Sequence, residues 1–140
     1  MYGDKAYAEL GIPDPAPCPP WCQGKHGGSH AGPGREAVTF HGASVIGGAA
    51  VVNGEVVTHG MNWAEHFEDG MWQPPRDTDV VVFLEVGTDY VPVDATERNM
   101  AGLAAIARLI SPDVEDRLRQ VRQLLGETRD ARQAVPHDAR

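Results

Sequence analysis

Four residues with metal-binding side chains follow one another in a short stretch near the N-terminus. Cys18, Cys22, His26 and His30 are separated by three residues each, within the segment CPPWCQGKHGGSH. Thiolate sulfur and imidazole nitrogen, supplied four at a time, are the ligands that a tetrahedral zinc ion takes. The Pro-Pro and Gly-Gly pairs of the segment favour a tight loop over a helix or a strand. The sequence therefore predicts a zinc-binding loop.

The fourth ligand of this site has two candidates. A site made of Cys18, Cys22, His26 and His30 lies wholly within the loop, so the entropy cost of closing it is low. If His41, in the first predicted strand, replaces His30, the metal also attaches the loop to the sheet. A site confined to the loop would leave the loop unattached. We therefore favour Cys18, Cys22, His26 and His41 as the metal ligands, with His30 as the alternative fourth ligand.

Catalytic residues are not predicted. Four protein ligands leave no coordination position open, so a zinc ion held in this way is structural. Elsewhere, His59 and the pair Glu65-His66 match neither the HExxH nor the HxxEH spacing of zinc hydrolases. A Gly-rich phosphate loop and a GxSxG elbow are also missing from the sequence. The protein is therefore expected not to be an enzyme.

The charge of the chain bears on its partners. The formal net charge is −8, and residues 1–110 carry fourteen acidic and six basic residues, while residues 111–140 carry six of each. An acidic body argues against binding along nucleic acid phosphates, which requires clustered Lys and Arg. No apolar run approaches the roughly 20 residues that span a bilayer, and no secretory signal pattern begins the chain. We expect a cytoplasmic protein without membrane contact, in which thiols stay reduced and available to metal.

The elements that must position the loop indicate an α+β fold. Beyond residue 36, short β-branched runs predict a small antiparallel sheet of four or five strands, including the continuous apolar run Val80–Val86. Asn53-Gly54, between two such runs, predicts a tight hairpin. Two helices follow at the C-terminal end, one over residues 95–110 and one that begins at Ser111-Pro112. The fold class is therefore a small antiparallel sheet with an N-terminal zinc loop and one or two C-terminal helices.

These elements divide the chain into four parts. We predict a Pro-rich N-terminal arm over 1–17, a zinc-loop α+β domain over 18–110, a C-terminal helix over 111–126 that Gly126 ends, and a polar, disordered tail over 127–140. The C-terminal helix has one narrow apolar edge, formed at steps of four, three and four by Val114, Leu118, Val121 and Leu125. An edge of this kind packs on a partner in the same chain or in a second copy, so a homodimer through the C-terminal helix is one expectation.

The residues of the loop and the sheet entrance also carry a family resemblance. The segment CPPWCQGKH, then Phe40-His41-Gly42, then strands and an Ala/Leu-rich helix resemble a small actinobacterial domain family of unknown function, DUF6907. Its members carry a Cys-Pro-x-Trp-Cys-x-x-x-His signature, and the resemblance covers roughly residues 15–110. A second family histidine, in a His-x-Gly-like setting, is similar to His41, although Gly42 follows it directly here. The resemblance implies a metal loop and a bacterial, phage or mobile-element setting.

Three function hypotheses follow from these observations. The first is a non-catalytic, zinc-stabilised interaction or regulatory protein that acts through protein–protein contacts, with the aromatic residues Trp63, Phe67 and Trp72 as its partner surface. The second is a zinc-dependent hydrolase with an open site near His41, His59 or His66. The third and weakest is a DNA-binding accessory protein that uses the arginines of the C-terminal helix, which are Arg117, Arg119, Arg122 and Arg129.

Overall fold

The computed structural model describes residues 11–23, 29–31 and 37–134. Its strands are β1 (Ser29–Ala31), β2 (Ala37–Ala43), β3 (Ala50–Val52), β4 (Glu55–Glu68), β5 (Met71–Trp72), β6 (Val80–Val86) and β7 (Asp89–Asp94). A short 3-10 helix, Asp77–Asp79, precedes β6. Two helices follow the last strand, α1 (Glu97–Ile110) and α2 (Pro112–Ala134).

The strands form one antiparallel sheet. Over the described ranges the main order is β1-β2-β4-β6-β7, and the short strands β3 and β5 each pair with β4. The predicted α+β fold, with an antiparallel sheet followed by helices, is confirmed. The main path of five strands lies within the predicted four to five.

Local signals placed several strands correctly. Asn53 and Gly54 connect β3 to β4 with positive φ angles of 51° and 82°, as the predicted Asn-Gly turn requires. The continuous apolar run became β6, with the predicted bounds. Residues 62–68, which could have formed a strand or a helix, are the second half of the 14-residue strand β4.

The two faces of β4 have different environments. Every odd-numbered residue from Val57 to Phe67 is buried, whereas Val56 and Asn62 on the other face are exposed. Helix α2 covers the buried face, since the carbonyl of Val114 lies 3.0 Å from a ring nitrogen of His59. This face therefore holds the core of the protein, and a side chain that β2 or β4 directs there is removed from water.

Helix α1 begins at Glu97, two residues after the predicted start at residue 95. Thr96 is its N-cap and accepts a hydrogen bond from the backbone N–H of Asn99 at 3.2 Å. Ser111 caps α2 in the predicted way, since its hydroxyl accepts from the N–H of Val114 at 3.2 Å. Among the described residues, neither helix combines the length and the apolar character needed to cross a bilayer.

The predicted end of the C-terminal helix is wrong. Helix α2 passes through Gly126 and continues to Ala134, so the first part of the predicted disordered tail, 127–134, is helical. Residues 135–140 lie outside the described ranges. The helix continues because its buried edge continues: after Leu125, Thr128 and Arg132 occupy the next buried positions. The buried edge changes from apolar to polar residues at Gly126, so an apolar pattern in the sequence did not indicate that the helix continues.

The apolar edge of α2 packs within the chain. Val114, Leu118, Val121 and Leu125 are all buried in the core against the sheet and α1. The chain's own core therefore fills this edge and leaves none of it for a second copy, so the edge does not support the predicted homodimer through the C-terminal helix.

Candidate metal centre

A tight turn brings the two cysteines together. The backbone N–H of Cys22 donates to the carbonyl oxygen of Pro19 at 3.0 Å, which closes a four-residue turn over Pro20 and Trp21. Proline suits the second position of such a turn, because its ring fixes φ near the required value. Both cysteines are present as thiols. The Pro-Pro pair thus directs the two sulfur atoms toward the same side of the loop.

The residue after the turn fastens the loop to the sheet. The N–H of Gln23 donates to the carbonyl of Gly42 at 3.0 Å, beside His41 in β2. The Gln23 side-chain amide donates to the carbonyl of Val45 at 3.0 Å and accepts from the N–H of Ser44 at 3.1 Å. These three hydrogen bonds hold the cysteine turn against the end of β2.

The arrangement places His41 beside the cysteines. One ligand atom from each of Cys18, Cys22 and His41 lies within 4.8 Å of the others. This span is about twice a zinc–sulfur bond of ~2.3 Å, so a slight inward rotation of the side chains would bring all three atoms to one ion. His41 is buried, Cys22 is half-buried and Cys18 is exposed at the surface. The three residues form a group that could hold a metal ion.

A buried carboxylate orients the imidazole of His41. Nε2 of His41 lies 2.8 Å from Oε1 of Glu65, which is 0% exposed on the adjacent strand β4. The guanidinium of Arg132 donates to both Glu65 oxygens, at 3.1 and 3.3 Å, and this favours an ionised carboxylate. An ionised carboxylate only accepts, so His41 donates from Nε2 and keeps its lone pair on Nδ1. Neutral imidazole with its second nitrogen bonded to a carboxylate is the usual arrangement of a metal-binding histidine.

Arg132 also reaches the segment that leads into the cysteine turn. Its Nη1 donates to the carbonyl of Pro17 at 3.0 Å, and its Nη2 lies 3.4 Å from the carbonyl oxygen of Ala16. Its guanidinium carbon lies 5.2 Å from the ring centre of Trp63, which stacks on His41 at 4.8 Å. Arg132 therefore links the end of α2 to the sheet and to the residues immediately before Cys18.

Trp21, between the two cysteines, makes a second link to α2. The side chain is buried in the main core, and its indole N–H donates to the hydroxyl of Thr128 at 2.8 Å. Trp21 therefore anchors the loop both by apolar burial and by a hydrogen bond.

The environment of the Cys18 thiol favours its protonated form when no cation is near. Partial burial raises the pKa of Cys18, and the neighbouring Cys22 raises it further, while the charge of Arg132 acts in the opposite direction. A divalent cation reverses this balance, because it binds the thiolate and displaces the proton. Metal binding at this group would therefore strengthen as the pH rises.

Two predicted ligands are not settled by this geometry. His26 lies outside the described residues. His30 lies in β1 opposite Val38, and its side chain is also outside the description. His26 therefore stays a predicted ligand, and His30 stays the predicted alternative to His41.

The histidines of the predicted hydrolase site do not gather around one point. His59 is on the buried face of β4, four residues from the partner of His41 in the strand register, or about 13 Å away along the strand. His66 belongs to the opposite face, where its ring lies 3.6 Å from a carboxylate oxygen of Asp79. Of the three histidines His41, His59 and His66, the geometry brings His41 alone to the cysteines.

His59 supplies a prediction about pH. It is fully buried, and its Nε2 donates to the carbonyl of Val114, while its buried Nδ1 has no hydrogen-bond partner among the described residues. Burial lowers the pKa of His59; the Val114 bond opposes this effect, and the charge of Arg117 adds to it. The unfolded chain, with a histidine pKa of about 6.5, therefore takes up the proton at a higher pH than the folded chain. The stability that neutral His59 contributes is therefore present above about pH 6.5, the histidine pKa of the unfolded chain, and is lost as the pH falls below it.

We therefore expect the melting temperature of the metal-free chain to fall between pH 7 and pH 5 more steeply than that of H59Q, whose amide can still donate to the Val114 carbonyl. The metal is removed so that protonation of its ligands does not contribute. Parallel pH profiles for the two proteins would contradict this role of His59.

The prediction of an aromatic partner surface is wrong. Trp63, Phe67 and Trp72 are all buried within the chain. Trp63 stacks on His41, and Phe67 packs edge-on against Trp72 at 5.4 Å. Trp72 also donates its indole N–H to the carbonyl of Pro13 at 2.8 Å. These aromatics hold the N-terminal segment and the metal-binding residues in place and do not form an exposed surface.

Sequence reasoning missed Glu65 and Arg132. Glu65 is two residues from both Trp63 and Phe67 along β4, so it belongs to the same, apolar face of the strand. A carboxylate on that face needs a cationic partner. That spacing was the available signal for Glu65. Arg132 lay beyond the expected end of the helix. Its spacing of seven residues from Leu125, which places both on one edge of a helix, was therefore not used as a sign of burial.

The comparisons with known proteins agree with the family resemblance. The sequence pattern of DUF6907, described as a domain of unknown function, matches residues 6–127. The chain belongs to this family. The match includes both cysteines, His41 and Glu65 of the DUF6907 domain, but it ends before Arg132. No curated protein and no solved structure matches the chain.

Proposed function

We propose that this DUF6907 protein is a non-catalytic protein in which one zinc ion attaches the N-terminal segment to the sheet. The proposed ligands are Cys18, Cys22, His26 and His41. The observation that carries the proposal is the convergence of three donor atoms within 4.8 Å, one of them on an imidazole bonded to a buried carboxylate. Two thiolates with imidazole nitrogens are a donor set typical of tetrahedral zinc.

The position of the site supports a structural role. The described residues of the N-terminal segment, 11–23, contain no helix or strand, so they have few backbone hydrogen bonds of their own. A metal ion shared between this segment and β2 binds only when the two parts lie together, so it stabilises the folded arrangement and joins two parts that are distant in sequence. With four protein ligands, the zinc would have no open position for a substrate. The reduced cysteines suit a cytoplasmic location, which is part of the proposal.

The arginines assigned to the DNA-binding alternative are mostly engaged within the chain. Arg117 donates to the carbonyls of Gly48 and Ala49, and Arg129 pairs with Asp77. Arg119 pairs with Asp116. The contacts of Arg117 and Arg129, which reach outside the helix, favour a role for these two arginines in positioning α2. Action through protein–protein contacts stays a prediction. The three aromatic residues that were assigned to its surface lie in the core.

Metal content tests the proposal directly. The full chain, purified in zinc-containing buffer and passed through a weak chelating column, should retain one zinc ion per chain. H41Q should retain much less, because it loses one ligand. H66Q is the matched control: it alters a half-exposed histidine on the opposite face of the sheet and should retain zinc like the wild type. Equal zinc content in all three proteins, or no zinc in the wild type, would overturn the proposal.

A further inference from the structure

Helix α2 is held by two different kinds of contact along its length. Up to Leu125 its buried residues are apolar and pack on the sheet and α1. From residue 127 to residue 133 the buried residues are Thr128 and Arg132, both polar. Their hydrogen bonds go to Trp21, to the carbonyls of Ala16 and Pro17, and to Glu65 behind His41. In the same turns Arg129, which is half-exposed, donates to the carbonyl of Pro75 at 3.2 Å and pairs with Asp77. The buried polar contacts of the last turns of α2 are thus made with the metal-binding group and its loop, and a further, half-exposed contact is made with residues 75–77.

The packing between these last turns and the loop is loose. A cleft of about 300 Å³ opens between the loop and α2. It is lined on the loop side by Pro17, Cys18, Pro19, Pro20 and Trp21, and on the helix side by residues that include Glu127 and Ala131. Apolar packing is thus incomplete between the loop and the last turns of α2. The hydrogen bonds of Thr128 and Arg132 provide much of the attachment between them.

A glycine stands where the contacts change. Gly126 is inside the helix, and apart from the adjacent residues and the helix's own backbone no described atom lies within 4 Å of the position that a Cβ would occupy. Packing therefore does not require glycine at this position. Glycine in a helix interior lowers helix stability relative to alanine, since it leaves the unfolded backbone more freedom. The helix is intrinsically weak at the boundary between its apolar and polar attachments.

We propose that residues 127–134 of α2 form a metal-responsive segment, seated on the sheet when the centre holds zinc and released, with Gly126 as the break, when zinc is lost. This inference rests on the proposed function. Zinc fixes Cys18 and His41, and these residues fix the Pro17 carbonyl and the Glu65 carboxylate that hold Arg132. Without the ion the loop gains freedom, and the polar contacts of Thr128 and Arg132 lose their fixed partners. The first part of α2 keeps its apolar contacts.

Zinc binding and the seating of residues 127–134 affect each other equally, so their coupling can be measured by changing the helix and determining the zinc affinity. If zinc favours the seated segment, then a change that favours the seated segment must raise zinc affinity by the same factor. G126A adds a methyl group into open space and strengthens the helix at the break. We expect zinc affinity to increase up to about fivefold. G102A in α1 is the matched control, because it also adds a methyl group into open space within a helix but is remote from the loop.

The experiment combines zinc titration of the metal-stripped full chain with hydrogen exchange followed by mass spectrometry. We expect zinc removal to increase exchange in 127–134 by at least about tenfold, with a much smaller change in 112–125. G126A should bind zinc more tightly than the wild type, and G102A should bind it equally. Zinc binding with equal exchange responses in both segments, or equal affinities for G126A and G102A, would overturn the inference and leave the zinc site standing. Failure to bind zinc at all would overturn the proposed function and with it the inference.

Discussion

Removal of zinc is expected to lower the melting temperature of the chain by roughly 10 °C. An ion that binds only the folded state stabilises it by about 2.7 kcal/mol when its concentration is 100 times the dissociation constant. For a domain of this size each kcal/mol corresponds to about 4 °C in melting temperature. The measurement is a thermal scan by circular dichroism of the zinc-loaded chain before and after addition of a chelator.

The control for this scan is a chain that cannot bind the ion. C18S/C22S keeps the turn over Pro20 and Trp21 but has no thiolate ligands. Its melting temperature should match that of the chelated wild type and should not respond to zinc or chelator. A wild-type melting temperature that is the same with zinc and with chelator would show that the ion does not stabilise this fold.

Loss of the Arg132 charge is expected to destabilise the protein by about 3–5 kcal/mol, because R132M leaves the fully buried Glu65 carboxylate without its cationic partner. The loss should appear as a lower midpoint in urea unfolding. R119M is the matched control in the same helix. Arg119 forms an exposed pair with Asp116, so its loss should cost less than about 1 kcal/mol.

A double variant separates the charge effect from a general loss of packing. E65M/R132M removes both charges at once and replaces them by side chains that suit an apolar interior. It should recover a large part of the stability that R132M loses, because no unpaired buried charge remains. If R132M resembles R119M, or if the double variant is the sum of the two single losses, the buried pair is not the source of the effect.

The local parts of this structure were predictable from the sequence. Asn53-Gly54 fixes a hairpin through the φ angles that it permits, and the apolar run Val80–Val86 is too continuous for a half-exposed strand. The proximity of Cys18 to Cys22 was also local, since the two residues are close in sequence. These predictions succeeded because each rests on the chemistry of a few adjacent residues.

The parts that depended on distant residues were not predictable in this way. Arg132 becomes meaningful only when Glu65, on a strand far away in the sequence, is known to face it. The aromatic residue Trp72 looked available for a partner because its burial depends on the N-terminal segment, whose Pro13 carbonyl accepts its indole N–H. A buried carboxylate on an apolar strand face departs from the local pattern, and such departures tend to mark functional or strained sites.

The most direct test of the central claim is X-ray absorption spectroscopy at the zinc edge on the zinc-loaded full chain. The ligand set that includes Cys18, Cys22 and His41 predicts two sulfur atoms at about 2.3 Å and two nitrogen atoms at about 2.0–2.1 Å from the metal. H41Q should lose one imidazole from this shell. A shell that contains only oxygen and nitrogen, or a spectrum that H41Q leaves unchanged, would contradict the proposed zinc centre.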